Sequence, residues 1–268
     1  MKLKLILLSV LLISVLSCSS DSNDNPDSQV LDDVLVKQIV YAKGTSDEYI
    51  NTFNYDSNKL TSVDYGDGYK NVYTYDGNNN LIKDDYYEEN ILTASIVLEY
   101  NSQNVLTKST EIFYPNSGLD DRQYENIFTY NPEGTITKVV YIDYFDSNAG
   151  FELAWTETIS YSSNNIIEIA HDDGFTETYT YDNENNAFQN IHTVEILNLL
   201  SENEFGSLIF GNTNNVISFT EDDNSAGDNY NDTYEYTYNN QGFPITGTYT
   251  SKYGNQVVDI ETLEFIYQ

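Results

Sequence analysis

The chain has 268 residues and is strongly acidic, with 43 Asp and Glu residues against 11 Lys and Arg residues and a formal net charge of −32 at pH 7. This charge excludes nucleic acid as a partner, because binding to the phosphate backbone needs clustered Lys and Arg. The single cysteine excludes an intrachain disulfide, and a chain of this length can bury a core large enough to fold without one.

The first 20 residues, MKLKLILLSVLLISVLSCSS, have the layout of a secretory signal peptide. Two lysines precede an apolar run from Leu5 to Leu16 that is too short to span a bilayer. The four residues from Val15 to Cys18 resemble the lipobox of bacterial lipoproteins, which implies cleavage after residue 17 and lipid attachment to Cys18. The alternative is an ordinary signal peptide that happens to contain a cysteine.

Residues 18–33 are predicted to be a disordered tether, because no apolar residue follows Cys18 before Val30. Residues 34–268 are predicted to form one domain. By resemblance to lipoprotein sorting rules, a serine directly after Cys18 is compatible with transport to the outer membrane of a Gram-negative bacterium. We therefore expect a lipid-anchored protein that faces the cell surface or the periplasm and contacts the membrane through its anchor alone.

A hairpin-like unit recurs from about residue 50 to the end of the chain, most clearly as YTYDGNNNLIK from Tyr73 and FTYNPEGTITK from Phe128. Aromatic and polar residues alternate before the turn, which is typical of a half-buried strand. Asp or Asn followed three residues later by Asn or Gly predicts a type I turn with one left-handed residue. The predicted turn residues are Asp76, Asn79, Asn131, Gly134, Asp182, Asn185, Asn239 and Gly242.

The unit Tyr-[Asp/Asn]-x-x-[Gly/Asn]-x-[Leu/Ile] resembles the YD repeat of RHS-type proteins and of shorter lipoproteins that carry degenerate copies. Two copies also have an upstream Asp-Gly pair, at residues 67–68 and 173–174. The resemblance implies a long antiparallel meander that curls, and the copies are too few for the closed shell of the large relatives.

The predicted fold class is therefore all-β, a single large twisted and curled antiparallel meander of repeated hairpins, either open or half-barrel-like. A transmembrane barrel is not expected, because Thr and Glu would face lipid on strands such as residues 234–238. The least strand-like segment begins at Ile191, and we expect a short helical turn near Leu197 to Leu200.

One rim of such a meander holds the uniform short turns, and the other holds long irregular loops. Variable loops on a rigid scaffold are where binding residues are usually found. Aromatic rings beside carboxylates at this rim would suit a sugar or a peptide, whereas the alternative is that the rings fold back to close the end of the sheet. The candidate ligand-binding residues are Tyr114, Tyr144, Phe145, Trp155 and Tyr230.

A calcium loop after Tyr75 is excluded, because the sixth residue counted from Asp76 is Leu81 and the twelfth is Tyr87. The remaining candidate for a weak calcium site is a loop segment in which Ala226 occupies the third ligand position. Its candidate ligands are Asp222, Asn224, Asp228 and Asp232.

No catalytic motif surrounds His171 or His192, and no cofactor is expected. The sequence favours a non-catalytic cell-envelope lipoprotein that binds a glycan or a protein partner through the long-loop rim. Two alternatives stay open: a purely structural or assembly scaffold, and a hydrolase that uses a pair of carboxylates.

Overall fold

The structure is a computed structural model that describes residues 34–114, 122–144, 150–200, 213–222 and 229–268. The predicted signal peptide, Cys18 and the predicted tether lie outside these residues. The described elements are strands β1 (Val36–Tyr41), β2 (Tyr49–Asp56), β3 (Lys59–Gly66), β4 (Tyr69–Tyr75), β5 (Leu81–Glu88), β6 (Ile91–Tyr100), β7 (Leu106–Phe113), β8 (Arg122–Tyr130), β9 (Ile136–Tyr144), β10 (Glu152–Ser162), β11 (Asn165–His171), β12 (Thr176–Tyr181), β13 (Val216–Asp222), β14 (Tyr230–Tyr238), β15 (Pro244–Tyr253) and β16 (Gln256–Tyr267), with helix α1 (Val194–Leu200).

The sheet is a closed barrel of sixteen antiparallel strands, because each strand pairs with its chain neighbours and β1 pairs with β16. In that closing pair Ile39 lies opposite Phe265, and Tyr41 lies opposite Leu263. The prediction of an open or half-barrel-like sheet without a barrel is therefore wrong. The repeats determine each hairpin, whereas closure depends on pairing between the two ends of the domain, which no local pattern encodes.

Polar side chains interact across the outer wall of the barrel. Thr237 and Thr246 share a hydrogen bond of 2.6 Å between their exposed hydroxyl groups. Lys108 and Glu99 form an ion pair, with 2.5 Å between Lys108 Nζ and Glu99 Oε1. Apolar side chains such as Val258 and Ile260 are exposed as well, so polar and apolar groups share this surface.

Short turns close the hairpins at one end of the barrel, which we call the short-turn end; it comprises residues 56–59, 76–80, 101–105, 131–135, 162–165 and 239–243. In the turn after β4, Oδ1 of Asp76 accepts hydrogen bonds from the backbone N–H groups of Asn78 and Asn80, both at 2.8 Å. The left-handed residues are those that the repeat pattern predicts: the φ angles are 66° at Asn79, 89° at Gly134 and 80° at Gly242.

The last tyrosine of several repeat units ties neighbouring hairpins together at this end. Its hydroxyl group donates to a backbone carbonyl at or near the start of an adjacent hairpin strand, so that a buried acceptor is satisfied. These hydrogen bonds run from Tyr55 to Val36 (2.8 Å), from Tyr75 to Leu60 (3.0 Å), from Tyr100 to Leu81 (2.7 Å) and from Tyr267 to Pro244 (2.7 Å).

Residues 183–200, which we call the plug, follow β12 and pack inside the wall at the short-turn end. Phe188 lies against Phe53 of β2 with 5.3 Å between ring centroids, and His192 Nε2 lies 2.9 Å from the carbonyl oxygen of Asn79. A barrel of sixteen strands is too wide for wall side chains alone to fill. The buried apolar side chains of the plug are Ala187, Phe188, Ile191, Ile196, Leu197 and Leu199.

The prediction of a left-handed turn residue at Asn185, at the start of the plug, is wrong. That residue is not left-handed; its backbone N–H donates to Gly242 and its side chain to Gln241, at 3.0 and 2.7 Å. Asp182 still caps the chain, with Oδ1 accepting from Glu184 N–H at 3.0 Å. The predicted helical turn is present as α1, which begins earlier than expected at Val194. No helix in the described ranges is long and apolar enough to cross a membrane.

Candidate functional site

The lumen between the plug and the opposite end of the barrel is a cavity of about 1080 Å³. We call that opposite end the long-loop end; it comprises residues 42–48, 66–69, 88–91, 171–175 and 253–256 and the strand ends beside the undescribed loops. Phe188 and Leu197 of the plug line the inner side of the cavity, and the lining extends to Tyr69 and Glu88. The cavity is therefore a cup with an apolar floor that reaches the long-loop end.

Tyrosines dominate the wall of this cavity, since strand alternation places the aromatics of a repeat on one face and that face is turned towards the lumen. Tyr41 and Tyr49 are stacked, with centroids 4.3 Å apart and an interplanar angle of 4°. The ring centroids of Tyr234 on β14 and Tyr249 on β15 lie 5.1 Å apart. The tyrosines that line the cavity are Tyr41, Tyr49, Tyr65, Tyr69, Tyr73, Tyr86, Tyr124, Tyr234, Tyr236 and Tyr249.

Carboxylates also line the cavity, and the lining ones are Asp84, Glu88, Glu111, Asp259 and Glu261. Asp84 is buried, and its two carboxylate oxygens accept hydrogen bonds from the side-chain amide of Asn71 at 2.8 and 2.9 Å. Burial raises the pKa of Asp84 to about 7, against the lowering effect of the Asn71 hydrogen bond. Burial also raises the pKa of Glu261, which is hydrogen-bonded to the Tyr49 hydroxyl group.

A buried ion pair holds the indole of Trp155 at the cavity wall. Lys138 and Glu157 lie opposite each other on β9 and β10, with 3.1 Å between Lys138 Nζ and Glu157 Oε2. Trp155 Nε1 donates to Glu157, and His171 Nδ1 lies 3.9 Å from the same carboxylate. Because Glu157 is fixed by the lysine, the indole is oriented before any ligand enters.

The five predicted ligand-binding residues do not converge. Trp155 lines the cavity, whereas Tyr144 and Tyr230 are exposed where β9 ends and β14 begins. Tyr114 follows β7, and its hydroxyl group lies 3.3 Å from Ser95 Oγ. Phe145 lies outside the described residues. Of the described candidates, one therefore lines the lumen and three lie at or near the long-loop end.

The predicted calcium ligands do not form a site among the residues that the structure describes. Asp232 pairs with Phe219 of β13 and shares its face of the sheet. Asp222 lies three positions after Phe219 on the same strand and therefore points to the opposite face. Asn224 and Asp228 lie outside the described ranges. No group of three or more His, Cys, Asp or Glu side chains in those ranges is arranged to hold a metal ion.

The lumen residues that the sequence reading missed were present in the period-two pattern. Tyr49, Tyr249 and Glu261 occupy inward positions of β2, β15 and β16, and Tyr249 lies directly opposite Glu261. Alternation identifies which residues share a face. It does not reveal that this face encloses a space, because that depends on closure of the barrel.

No protein-family model matches the chain, and no curated protein matches it. Among solved structures, the chain is similar to a porin-like protein from Bacteroides vulgatus ATCC 8482, with a TM-score of 0.56, 12% sequence identity, and coverage of 88% of this chain and 99% of that one. A porin-like protein from Bacteroides uniformis ATCC 8492 matches with a TM-score of 0.42 and 14% identity over 87% of this chain and 96% of that one.

At 12% identity the first similarity concerns the fold alone, and the fold is that of a closed porin-like barrel. This finding corrects the description of the chain as an RHS-like YD-repeat protein with an open sheet. The short repeat consists largely of turn residues, which any long antiparallel barrel with uniform hairpins would share.

Proposed function

We propose that the protein is a lipid-anchored protein of the outer membrane that binds an oligosaccharide inside its barrel. The observation that carries the proposal is the cavity of about 1080 Å³, which is lined by tyrosines, one tryptophan and carboxylates. Its size is near the upper end of small-ligand pockets. Aromatic rings stack on the apolar faces of sugars and carboxylates accept their hydroxyl hydrogen bonds. A folded protein partner would not fit into this lumen.

The membrane location is supported by the lipobox-like segment before Cys18 and by the porin-like fold. A lipid chain on Cys18 would attach the protein to the membrane without an apolar protein surface. The plug packs across the short-turn end, so the geometry favours capture of a ligand over free passage through the barrel.

Equilibrium binding of a panel of neutral, acidic and amino oligosaccharides would test this function. The chain from residue 18 onward, carrying Cys18→Ser, would be titrated by calorimetry. Tyr49 and Tyr130 are matched controls, since both side chains are 43% exposed but only Tyr49 lines the cavity. We expect at least one saccharide whose affinity falls about tenfold or more in Tyr49→Ala and is unchanged in Tyr130→Ala. Absence of saturable binding across the panel would contradict the proposal.

A further inference from the structure

Acidic side chains outnumber basic ones in the lining of the cavity. Five carboxylates line it, whereas Lys138 is the one basic residue among its described lining residues. The charge of Lys138 is already paired with that of Glu157, at 3.1 Å between Nζ and Oε2, and both side chains are buried. The other described basic residues, none of which lines the cavity, are Lys37, Lys43, Lys59, Lys70, Lys83, Lys108, Arg122 and Lys252.

One part of the wall combines acidic side chains with aromatic rings. Glu261 of β16 lies opposite Tyr249 of β15. It is also hydrogen-bonded to the hydroxyl group of Tyr49, which belongs to β2 on the opposite side of β16 from β15. Tyr49 stacks on Tyr41, and Tyr249 packs against Tyr234. The two pairs of rings flank a single carboxylate, and Asp259 lies one inward position further towards the long-loop end.

This arrangement suits an organic cation better than a neutral group. The face of an aromatic ring attracts a positive charge, and the attraction strengthens where water is excluded. A carboxylate beside the rings adds a charge-assisted hydrogen bond to an ammonium group. An anionic ligand would instead meet the carboxylates of the lining, and like charges brought together in a partly dehydrated lumen repel strongly.

We propose that the ligand of the lumen carries a protonated amino group, which binds between Tyr49 and Tyr249 beside Glu261. This inference rests on the proposed binding function and specifies its ligand class, an amino sugar or another organic ammonium ion. It does not require a bound metal ion, since the described carboxylates are not arranged around a common centre.

The test compares the glucosamine tetramer with the N-acetylglucosamine tetramer, which share a backbone and differ in the charge of the amino groups. Both would be titrated against the chain carrying Cys18→Ser and against two variants of it. Glu261→Gln removes the lumen carboxylate. Glu235→Gln is the control, because Glu235 is an exposed outward residue of β14 and its loss changes the net charge equally.

We expect the amine form to bind at least tenfold more tightly than the acetylated form, and to lose about tenfold in affinity in Glu261→Gln with little change in Glu235→Gln. Equal or tighter binding of the acetylated form would overturn the inference while leaving the proposed saccharide function intact. Equal losses in the two variants, or no saturable binding of the amine form, would also overturn it. Failure of every saccharide in the earlier panel would instead reject the binding function itself.

Discussion

The backbone N–H of Asn215 donates to Oδ1 of Asp182 at 3.1 Å, across 33 positions of the chain. The same hydrogen bond joins Asn80 to Asp76 at 2.8 Å across four positions. In both pairs the Asx-like cap is completed by a side-chain amide, which donates to Oδ2 at 3.1 and 3.0 Å respectively. The long excursion between β12 and β13 is therefore an insertion into an ordinary hairpin turn of the barrel.

The plug should stabilise the whole barrel through its apolar core. Phe188 is 2% exposed and packs on Phe53, so Phe188→Ala should lower the free energy of unfolding by about 3–5 kcal/mol. Phe151→Ala serves as the control, because that side chain is 39% exposed and its loss should cost within about 0.5 kcal/mol. Chemical denaturation would measure both, and equal effects would show that the plug is not part of the core.

The left-handed turn positions should be sensitive to backbone strain alone. An added Cβ at Gly134 meets nothing within 4 Å, yet the φ angle is +89°. Gly134→Val should therefore cost about 1–2 kcal/mol. Gly77 also has open space but no positive φ angle, so Gly77→Val should be nearly neutral. Thermal melting would compare the two variants, and an unchanged melting temperature for Gly134→Val would contradict the turn assignment.

The tyrosine hydroxyl groups at the short-turn end should contribute separately from their rings. Tyr100 donates to the carbonyl oxygen of buried Leu81 at 2.7 Å. Tyr100→Phe should lower stability by about 1–2 kcal/mol, because a buried acceptor loses its donor. Tyr130→Phe provides a control at a corresponding repeat position. Denaturation curves that coincide for wild type and Tyr100→Phe would show that water replaces the hydroxyl group without cost.

Asp84 should make stability depend on pH. Its pKa is about 7 in the folded protein and near 4 in an unfolded chain, so the folded state holds the proton more tightly. The resulting stabilisation is fully present below about pH 4 and is lost as the pH rises to about 7. The free energy of unfolding of the wild type, relative to that of Asp84→Asn, should therefore fall as the pH rises from about 4 to about 7. A constant difference would contradict a buried, protonated carboxyl group.

The hairpins could be predicted from the sequence because their determinants are local. Asn79, Gly134 and Gly242 each have a positive φ angle, and each donates its backbone N–H to the carbonyl oxygen of the Asx residue three positions earlier. The fate of Asp182 could not be predicted in this way. Its turn is completed by Asn215, and not by Asn185 as the repeat pattern predicts.

The site was only partly predictable for a similar reason. Trp155 was identified from its place beside a long loop, and it does line the cavity. Tyr49 and Glu261 were not identified, since they come from the two ends of the sheet and meet only when β1 pairs with β16. Closure is a property of all the strands together, so the lumen cannot be read from any one of them.

Thiol labelling of single-cysteine variants in the Cys18→Ser background would test the enclosed cavity most directly. Ala94 and Leu106 are both buried, at 6% and 1% exposure, but only Ala94 lines the cavity. A solvent-filled lumen that opens at the long-loop end predicts that a small methanethiosulfonate reagent modifies Ala94→Cys in the folded protein while Leu106→Cys stays protected until unfolding. Equal protection of both thiols would show that the lumen is closed to solutes and would contradict a binding role for it.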